Sequence, residues 1–488
     1  MQFVAAVAGA AGSFTAAADV AAQETWDREP YRIHALLAID VPGGLAEQVA
    51  KEMPSYLKER VDAAIGPAWS WTLEIPAGAA RHRVFADILS PIDAEYPSGI
   101  ESATGARAAE SRVSREPPEF PADRDKLLLL TVRSTPLGYE IAAREFDRYL
   151  QRWGPAMQRV CRQNAVLPEQ LFWLTWRAVS PLVQVELDPD DEHSVNLHPR
   201  GAALPRRSDE VRWAMPGDVF LPYLRRTTRE GELVPNGIQQ VPWTFIETVD
   251  AEGGLVAGRI QSGARRPFGV RQRGRIEQLA IALRFDPNST QVRLHARTDP
   301  KKPLIGYEAF VQNTNEEEVT SIGHSDQEGR IAVGPGHSRV QLLFIKNGGH
   351  IPARLPVVPG GFERIDVPLP DYGAGLQAEA RLAALREELI DVVARRNILI
   401  ARARLKIEEG ELSEARELIG NLDRLPGRSQ FNQLIQNESR LHRSDDPQVQ
   451  RLIDQQFTIT RTVLSQFLDP GPVNDLNDQL REAQREGA

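Results

Sequence analysis

The residues best suited to hold an anion form a series of arginines in the middle of the chain. The series comprises Arg259, Arg265, Arg266, Arg271, Arg273 and Arg275. Guanidinium groups on a glycine-rich β surface can bind phosphate or carboxylate groups through paired hydrogen bonds. Composition offers a second explanation, because arginine outnumbers lysine 51 to 7 in this chain, so clusters arise from that bias. We expect these six residues to contact an anionic ligand or partner, and the compositional explanation stays open.

The densest set of potential metal ligands lies in an acidic, proline-bearing loop. Its members are Asp188, Asp190, Asp191, Glu192, His193 and His198. Oxygen and imidazole ligands of this kind can bind divalent cations, but such a loop is more simply explained by solvation of its charges. No His-Glu-x-x-His motif occurs in the sequence. The sequence therefore predicts no metal site.

The single cysteine is the next candidate for chemistry. Cys161 stands between Arg159 and Arg162, and nearby cations can lower the pKa of a thiol. No base accompanies it in the sequence, so we expect a passive thiol. One cysteine also excludes an internal disulfide and the common cysteine-rich zinc sites.

Familiar cofactor and hydrolase motifs are absent. The sequence has no P-loop ending in Gly-Lys-Ser/Thr, no Gly-x-Gly-x-x-Gly after a strand and no Gly-x-Ser-x-Gly. We therefore predict no cofactor and name no catalytic residue. If the protein is an enzyme, Asp40 is the residue to test first, because it ends a predicted strand and ligands bind at strand ends in α/β folds. A turn-capping role before Pro42 is the simpler interpretation.

Length and composition limit the class of protein. A chain of 488 residues is about three times a typical domain of ~150 residues, so we expect three or four domains. Hydrophobic residues make up 41% and charged residues 26%, as in soluble globular proteins. The net charge of -9 argues against binding to nucleic acid, whose phosphates require many compensating cations.

The first 22 residues have features of a secretory signal. Met1 to Ala18 carry no charge, and a cut after Ala22 would leave a polar start at Gln23, although no basic residue precedes Arg28. We expect export to the periplasm, the cell envelope or the medium, with no transmembrane segment after cleavage, since no other apolar run approaches ~20 residues. If these residues are retained, the protein is cytoplasmic.

Residues 28 to 205 are predicted to form an α/β domain. A strand over 31 to 40, a helix over 45 to 65 and a strand over 69 to 75 open it. Residues 97 to 125 are rich in Ser, Gly, Pro, Arg and Glu, which is typical of a mobile loop. Strands then follow at 126 to 133 and 139 to 146, and a helix at 168 to 179 leads to a strand at 183 to 187.

Residues 206 to 298 are predicted to form a small β domain. Short strands separated by glycines favour a barrel or sandwich, and the segment resembles an SH3-like barrel. Its aromatic residues are Trp213, Phe220, Tyr223 and Trp243. Most should belong to the core, and any exposed subset would mark a binding face.

Residues 299 to 370 are predicted to form a second β module. The run from Pro303 to Val311 precedes Ser321 to Val333, which contains the turn Asp326-Gln327-Glu328-Gly329, and a strand follows at 340 to 345. This arrangement resembles the carboxypeptidase-regulatory, or transthyretin-like, β-sandwich. In the predicted hairpin Asp326 bonds backbone amides and Gly329 takes a positive φ. The resemblance implies an accessory module of secreted bacterial proteins.

Residues 371 to 488 are predicted to be helical. An apolar stripe runs through Leu382, Leu385, Leu389, Val392, Ile398, Leu399 and Leu405 and should face a packing partner. Residues 401 to 426 resemble one tetratricopeptide-like hairpin, with Gly410 between its helices. No second copy follows at the period of ~34 residues, which favours a plain hairpin over a solenoid. Another helix is expected at 447 to 467, and the polar tail from Asp469 should fray.

Together these features indicate a multidomain α+β protein. The function they favour is that of a noncatalytic interaction or scaffold protein of the envelope or a secreted one, with a protein or an anionic envelope component as partner. Two alternatives stay open. One is an extracytoplasmic hydrolase with its site in the amino-terminal domain, and the other is a cytoplasmic scaffold.

Overall fold

The computed structural model describes residues 25–90, 116–252, 255–269, 275–285 and 288–486. Within these ranges the chain is a mixed α+β protein, rich in β-sheet, with helices at its carboxyl end. The predicted signal at 1–22 and most of the predicted loop at 97–125 lie outside the described residues.

The amino-terminal unit is a mixed sheet with helices on both faces. Its elements are β1 (Tyr31–Asp40), α1 (Gly43–Ala64), β2 (Trp69–Glu74), α2 (Gly78–Leu89), β3 (Lys126–Thr135), β4 (Gly138–Asp147), β5 (Arg152–Trp153), β6 (Met157–Cys161) and α3 (Leu167–Ala178). Strand β1 is parallel to β2 and β3, and β4 is antiparallel to β3. Because both faces are covered, β1 and β3 are nearly continuous runs of buried residues. The predictions for β1 to β4, α1 and α3 are confirmed, whereas the sequence analysis missed α2, which buries only Val84, Asp87 and Ile88.

A closed barrel follows the sheet. Its strands are β7 (Leu182–Leu187), β8 (Ser194–Pro199), β9 (Val219–Thr227), β10 (Leu233–Gln240), β11 (Thr244–Glu252), β12 (Leu255–Ser262) and β13 (Arg275–Ala282). Hydrogen bonds run in the order β9-β11-β12-β8-β7-β13 and back to β9, while β10 pairs with β9 outside this ring. Strands β7 and β8 were expected in the amino-terminal domain, but their hydrogen-bonding partners are barrel strands.

Side chains fill the barrel interior. Phe220, Ile246 and Leu197 are fully buried there. A Cβ at Gly258 would lie 2.7 Å from Ile246 Cγ2 and 3.1 Å from Val195 Cγ2, so this position on β12 requires glycine. The barrel is therefore a packed core, as expected for a small number of strands.

A β-sandwich of two sheets comes next. Its strands are β14 (Thr290–Ala296), β15 (Asp299–Pro303), β16 (Glu308–Asn313), β17 (Val319–His324), β18 (Arg330–Val333), β19 (Gln341–Asn347), β20 (His350–Val357) and β21 (Arg364–Leu369). One sheet joins β15, β14, β18 and β21, and the other has the order β17-β16-β19-β20. Strand β14, assigned to the preceding domain by the sequence analysis, thus belongs to the sandwich, because it pairs with β15, β18 and β21.

The predicted turn within this sandwich is confirmed in its local geometry. Asp326 Oδ1 accepts hydrogen bonds from the amides of Glu328 (2.9 Å) and Arg330 (2.7 Å), and Gly329 has a φ of 74°. The expectation of a simple hairpin is wrong, because the flanking strands β17 and β18 belong to different sheets. The turn carries the chain from one sheet to the other.

Helices form the carboxyl-terminal part. They are α4 (Gly373–Glu408), α5 (Leu412–Asp423), α6 (Arg428–Leu441), α7 (Pro447–Phe467) and α8 (Gly471–Glu486). The predicted break at Gly410, which has a φ of 80°, is confirmed. The expected fraying after Asp469 is wrong, because Leu476 and Leu480 of α8 are buried against α4 and α5. Among the described helices, none is both long enough and apolar enough to span a bilayer.

Candidate functional site

The arginine series does not converge on one place. Arg259 is exposed on β12, opposite Glu247 of β11 and Ser194 of β8. Arg275 is exposed at the start of β13, opposite Thr227. The separation of Arg259 and Arg275 can be followed along β9. Val219 of β9 pairs with Glu247, the partner of Arg259, and Thr227 of β9 pairs with Arg275. These two positions of β9 are eight residues apart, or about 26 Å along an extended strand.

The other members of the series are only partly described. Arg265 and Arg266 are exposed in the turn that follows β12. Arg271 and Arg273 lie outside the described residues. The structure therefore leaves Arg259, Arg265 and Arg266 near one end of β12 and places Arg275 elsewhere on the barrel.

Carboxylates flank Arg259 on both sides, Glu247 on β11 and Asp191 in the loop that precedes β8. Burial raises the pKa of Glu247, while a hydrogen bond from Thr314 (3.3 Å) and the charge of Arg259 oppose that shift. On the other side, hydrogen bonds from Ser194 Oγ (2.6 Å) and the amide of His193 lower the pKa of Asp191, and Arg259 adds to this effect. The positive charge of Arg259 is thus partly compensated within the protein.

A further arginine, Arg284, was missed by the sequence analysis. It follows β13, where the amides of Ala282 and Leu283 bond to Pro181 and Val219. Burial lowers the pKa of Arg284, which the nearby carboxylates of Asp218 and Glu145 only partly offset. Its Nε has no hydrogen-bond partner among the described residues. The sequence offered no signal, because this arginine follows an apolar strand as many ordinary surface residues do.

A buried ion-pair network joins the amino-terminal sheet to the first barrel strand. Lys126 Nζ lies 3.0 Å from Glu145 Oε2 and 2.7 Å from Asp147 Oδ2, and it donates to the carbonyl of Ser180 at 2.9 Å. The lysine and both carboxylates are at most 3% exposed. Every charged group of this network has a partner, so its role is to hold β3 and β4 against the segment that leads into the barrel.

The acidic loop is held by its own turn. Asp188 and Asp191 accept hydrogen bonds from the amides of Asp190 and His193, and His198 Nε2 lies 3.0 Å from Glu186 Oε2. Within the ranges that the structure describes, no three His, Cys, Asp or Glu side chains are grouped so that they could hold a metal ion.

The remaining candidates for chemistry do not face a cleft. The side chain of Asp40 is 57% exposed, and its nearest cation is Arg133 Nε at 3.8 Å. A solvent-facing carboxylate at this turn lacks the converging groups that a catalytic site needs. Cys161 is buried, and its Sγ donates a hydrogen bond to the carbonyl of Gln163 at 3.2 Å.

The four aromatic residues named for the barrel do not form an exposed binding face. Trp213, Phe220, Tyr223 and Trp243 are between 0 and 8% exposed. All four belong to the core, as the sequence analysis expected for most of them, and the idea of an exposed subset is wrong.

Exposed large apolar side chains occur in every part of the described chain, and on the carboxyl-terminal helices they fall into stripes. On α4, Ile390 is 66% exposed, Ile398 53% and Leu405 52%. The prediction that Ile398 and Leu405 face a packing partner within the protein is wrong, because the residues of a long helix that face the core occupy only one sector. The buried set there is Leu382, Leu385, Leu389 and Val392.

Helix α7 carries a second exposed stripe beside the first. Its members Leu452, Ile459 and Phe467 are 43%, 47% and 56% exposed. The two helices run parallel, because Arg386 donates to Thr460 Oγ1 (3.1 Å) and Arg396 donates to the carbonyl of Phe467 (3.2 Å) further along both. At 100° per residue both stripes point to the same outer side of the pair. We call this surface, made of these three residues and the three of α4, the α4–α7 face.

An open groove lies between α6 and α7. It has a volume of about 650 Å³ and is lined by both arginines and aspartates, among them Arg443, Arg461, Asp445 and Asp454. Because its charges balance, it does not select a ligand of either sign.

Comparisons with known proteins do not define a family. No family model and no curated protein matches the chain. Among solved structures, the major pilin subunit of Bacillus cereus matches with 9% identity over 51% of this chain and 71% of its own, at a TM-score of 0.15. TolB from Acinetobacter baumannii matches with 12% identity over 71% of this chain and 97% of its own, also at 0.15. The TIE protein of Bacillus anthracis matches with 12% identity over 50% and 41%, at 0.15. Scores this low carry no argument about fold or function.

Proposed function

We propose that this protein is a noncatalytic scaffold of the cell envelope, or a secreted one, whose helical part binds protein. The observation that carries the proposal is the α4–α7 face. It presents six large apolar side chains that are 43 to 66% exposed on two adjacent parallel helices. Exposed apolar surface of this kind on a folded protein is typical of a protein-binding site, because its burial against a partner is favourable.

The location outside the cytoplasm rests on the sequence of residues 1–22 and on the sandwich. Two four-stranded sheets, one of which includes β14, and the Asp326 turn support a transthyretin-like module that begins before residue 299. Within the same proposal, Arg259, Arg265 and Arg266 supply a cationic surface near one end of β12 for an anionic envelope component. The barrel then serves as an SH3-like spacer between the sheet and the sandwich.

A site-specific cross-link tests the proposal. A photoreactive amino acid replaces Ile398 in the full chain, which is expressed in the native host, and the envelope fraction is irradiated. We expect a cross-linked protein product at this position. The control is the same replacement at Leu137, which is 72% exposed in the turn between β3 and β4, far along the chain from the helices.

The cross-linking result either supports or refutes the scaffold. A product at Ile398 that is absent at Leu137 supports the scaffold, and equal or absent products at both positions refute it. Mass spectrometry of the same purified chain adds the location, because a start near Gln23 supports export and an intact Met1 supports a cytoplasmic scaffold.

A further inference from the structure

We propose that the partner of the α4–α7 face is a second copy of this chain, with helix α4 packed antiparallel against α4 of that copy. The inference rests on the proposed function, since both use the same face, and it names the partner. A two-fold axis between Arg396 and Asn397 places Asp391 of each copy opposite Arg402 of the other.

The exposed apolar stripe of α4 has the length and the alternation of large and small residues that suit packing against another helix. Its apolar members are Ala383, Ile390, Ala394, Ile398, Ala401 and Leu405. They are spaced by seven, four, four, three and four residues, which keeps them within one sector of the helix. The stripe covers 23 residues, and its two ends are about 33 Å apart at 1.5 Å per residue. Large and small residues alternate, so the large ones can enter the gaps of an identical stripe.

The charges beside the stripe select the antiparallel direction. On the amino-terminal side of the axis, Glu388 and Asp391 are exposed beside the stripe, and Glu387 is exposed within it. On the carboxyl-terminal side Arg402 and Arg404 are exposed, while Arg395 lies close to the axis itself. A parallel pair would place like charges together, whereas an antiparallel pair brings Glu388 and Asp391 of each copy near Arg402 of the other, and the two-fold axis repeats every contact.

These charged groups are available for such contacts. Within the described part of the chain, the side chains of Asp391, Arg395, Arg402 and Arg404 make no hydrogen bond or ion pair, and Glu388 interacts with the charge of Arg381 on the same helix. The other basic residues of this stretch are occupied: Arg386 bonds to Thr460, Arg396 to the carbonyls of Phe467 and Asp469, and Lys406 to Glu411. The unpaired charges are thus the ones that flank the exposed stripe.

The proposed register places Asp391 and Arg402 at equal distances on either side of the two-fold axis. Asp391 and Arg402 are 11 residues apart, about three helical turns, so both lie on the same flank of the stripe. In an antiparallel pair the same flanks meet, which brings Asp391 to Arg402 twice. Ile390 then enters the gap between Ala401 and Leu405 of the other copy, and Ala394 faces the gap beside Ile398.

Sedimentation of the full-length chain over a range of concentrations tests the inference. We expect a dimer that dissociates on dilution. Asp391→Arg and Arg402→Asp should each weaken dimerisation by about tenfold, because both symmetric pairs become repulsive. The double variant should restore the wild-type dissociation constant to within about threefold, since it only exchanges the two charges. Ile398→Glu should weaken the dimer by more than about a hundredfold, because the axis would bury two unpaired carboxylates.

Matched controls lie on α5 and α6, in the same helical part but outside the face. Glu417→Arg makes the same charge change at an exposed position of α5, and Leu441→Glu makes the apolar change at a residue of α6 that is 75% exposed. Neither should alter the dimer. Circular dichroism establishes that each variant keeps its helix content.

The results separate this inference from the proposed function. A wild-type chain that stays monomeric, or a double variant that fails to regain the affinity that each single variant loses, overturns the antiparallel pairing. If the chain is monomeric while Ile398 cross-links to a different protein, the scaffold stands and the self-association is refuted. If the chain is monomeric and no product forms at Ile398, both are refuted.

Discussion

The buried Lys126 network makes the most quantitative prediction about stability. Replacement of Lys126 by Met keeps the volume of the side chain and removes the ammonium group. Glu145 and Asp147, which are 1% and 3% exposed, then lose their cation, and the carbonyl of Ser180 loses a donor.

The size of the effect follows from what the variant leaves behind. Removal of one partner of a buried ion pair costs about 3 to 5 kcal/mol, because a charge stays buried without compensation. Each carboxylate here keeps one backbone donor, the amide of Ser180 for Glu145 and that of Leu150 for Asp147. We therefore expect a loss of about 3 kcal/mol in the free energy of unfolding at pH 7, at the lower end of that range.

The pH dependence gives an independent check. Burial by itself lowers the pKa of Lys126, but Asp147 and Glu145 together outweigh burial and the pKa is raised. A raised pKa in the folded state means that the lysine stabilises the protein fully below its ordinary value of about 10.4, so the wild-type contribution is constant between pH 5 and 8. Acid solution favours the neutral form of a buried acid that has no cation beside it, so the deficit of the variant should shrink from pH 8 to pH 5.

Urea unfolding followed by tryptophan fluorescence measures this deficit. Trp26, Trp69 and Trp176 lie in the same core and report on the amino-terminal unit. Lys58→Met on the exposed side of α1 is the matched control and should change the unfolding free energy by less than about 0.5 kcal/mol. A deficit below about 1 kcal/mol for Lys126→Met, or one that is the same at pH 5 and pH 8, would refute the reasoning.

Two further substitutions test the barrel and the helical part. Gly258→Ala should lower the unfolding free energy by about 1 to 3 kcal/mol, because its Cβ would meet Ile246 inside the barrel. The control is Gly420→Ala on α5, which should not destabilise the protein because nothing lies within 4 Å of the added Cβ. Equal shifts of the melting temperature for both variants would contradict the packed barrel interior. Arg297→Ala should speed hydrogen exchange in α7, because Arg297 holds the buried carboxylate of Asp446 that caps this helix, and exchange in the barrel should not change; an unaltered α7 would show that the contact is dispensable.

Local pattern was sufficient for several elements and for one turn. The residues of α1 that recur every four positions, such as Val49, Met53 and Leu57, predict a helix that buries one face, and the structure confirms it. The Asp326 turn depends on a side chain that accepts hydrogen bonds from amides two and four residues away. A short stretch of sequence therefore determines the geometry of the turn. In both cases the interacting residues are close along the chain.

The candidate sites were less predictable, because their geometry depends on distant pairings. The arginines from Arg259 to Arg275 are neighbours in sequence, but Arg259 lies level with Val219 and Arg275 with Thr227, two positions about 26 Å apart along β9. Ile398 has the apolar character of a core residue, and only the position of α7 and α6 around α4 decides which sector of the helix is covered. Leu476 and Leu480 are buried for the same reason, because α4 and α5 cover a short helix that is otherwise polar.

The sequence by itself determined the α+β class, most helices and strands, and the absence of a disulfide framework in a chain with one cysteine. These properties depend on composition or on residues a few positions apart. The tertiary structure decided which strands close the barrel, which sheets the sandwich strands join and which apolar residues of α4 stay exposed. Those features depend on hydrogen bonds and packing between residues that are far apart in the chain, and the periodicity of a single segment does not specify its partner.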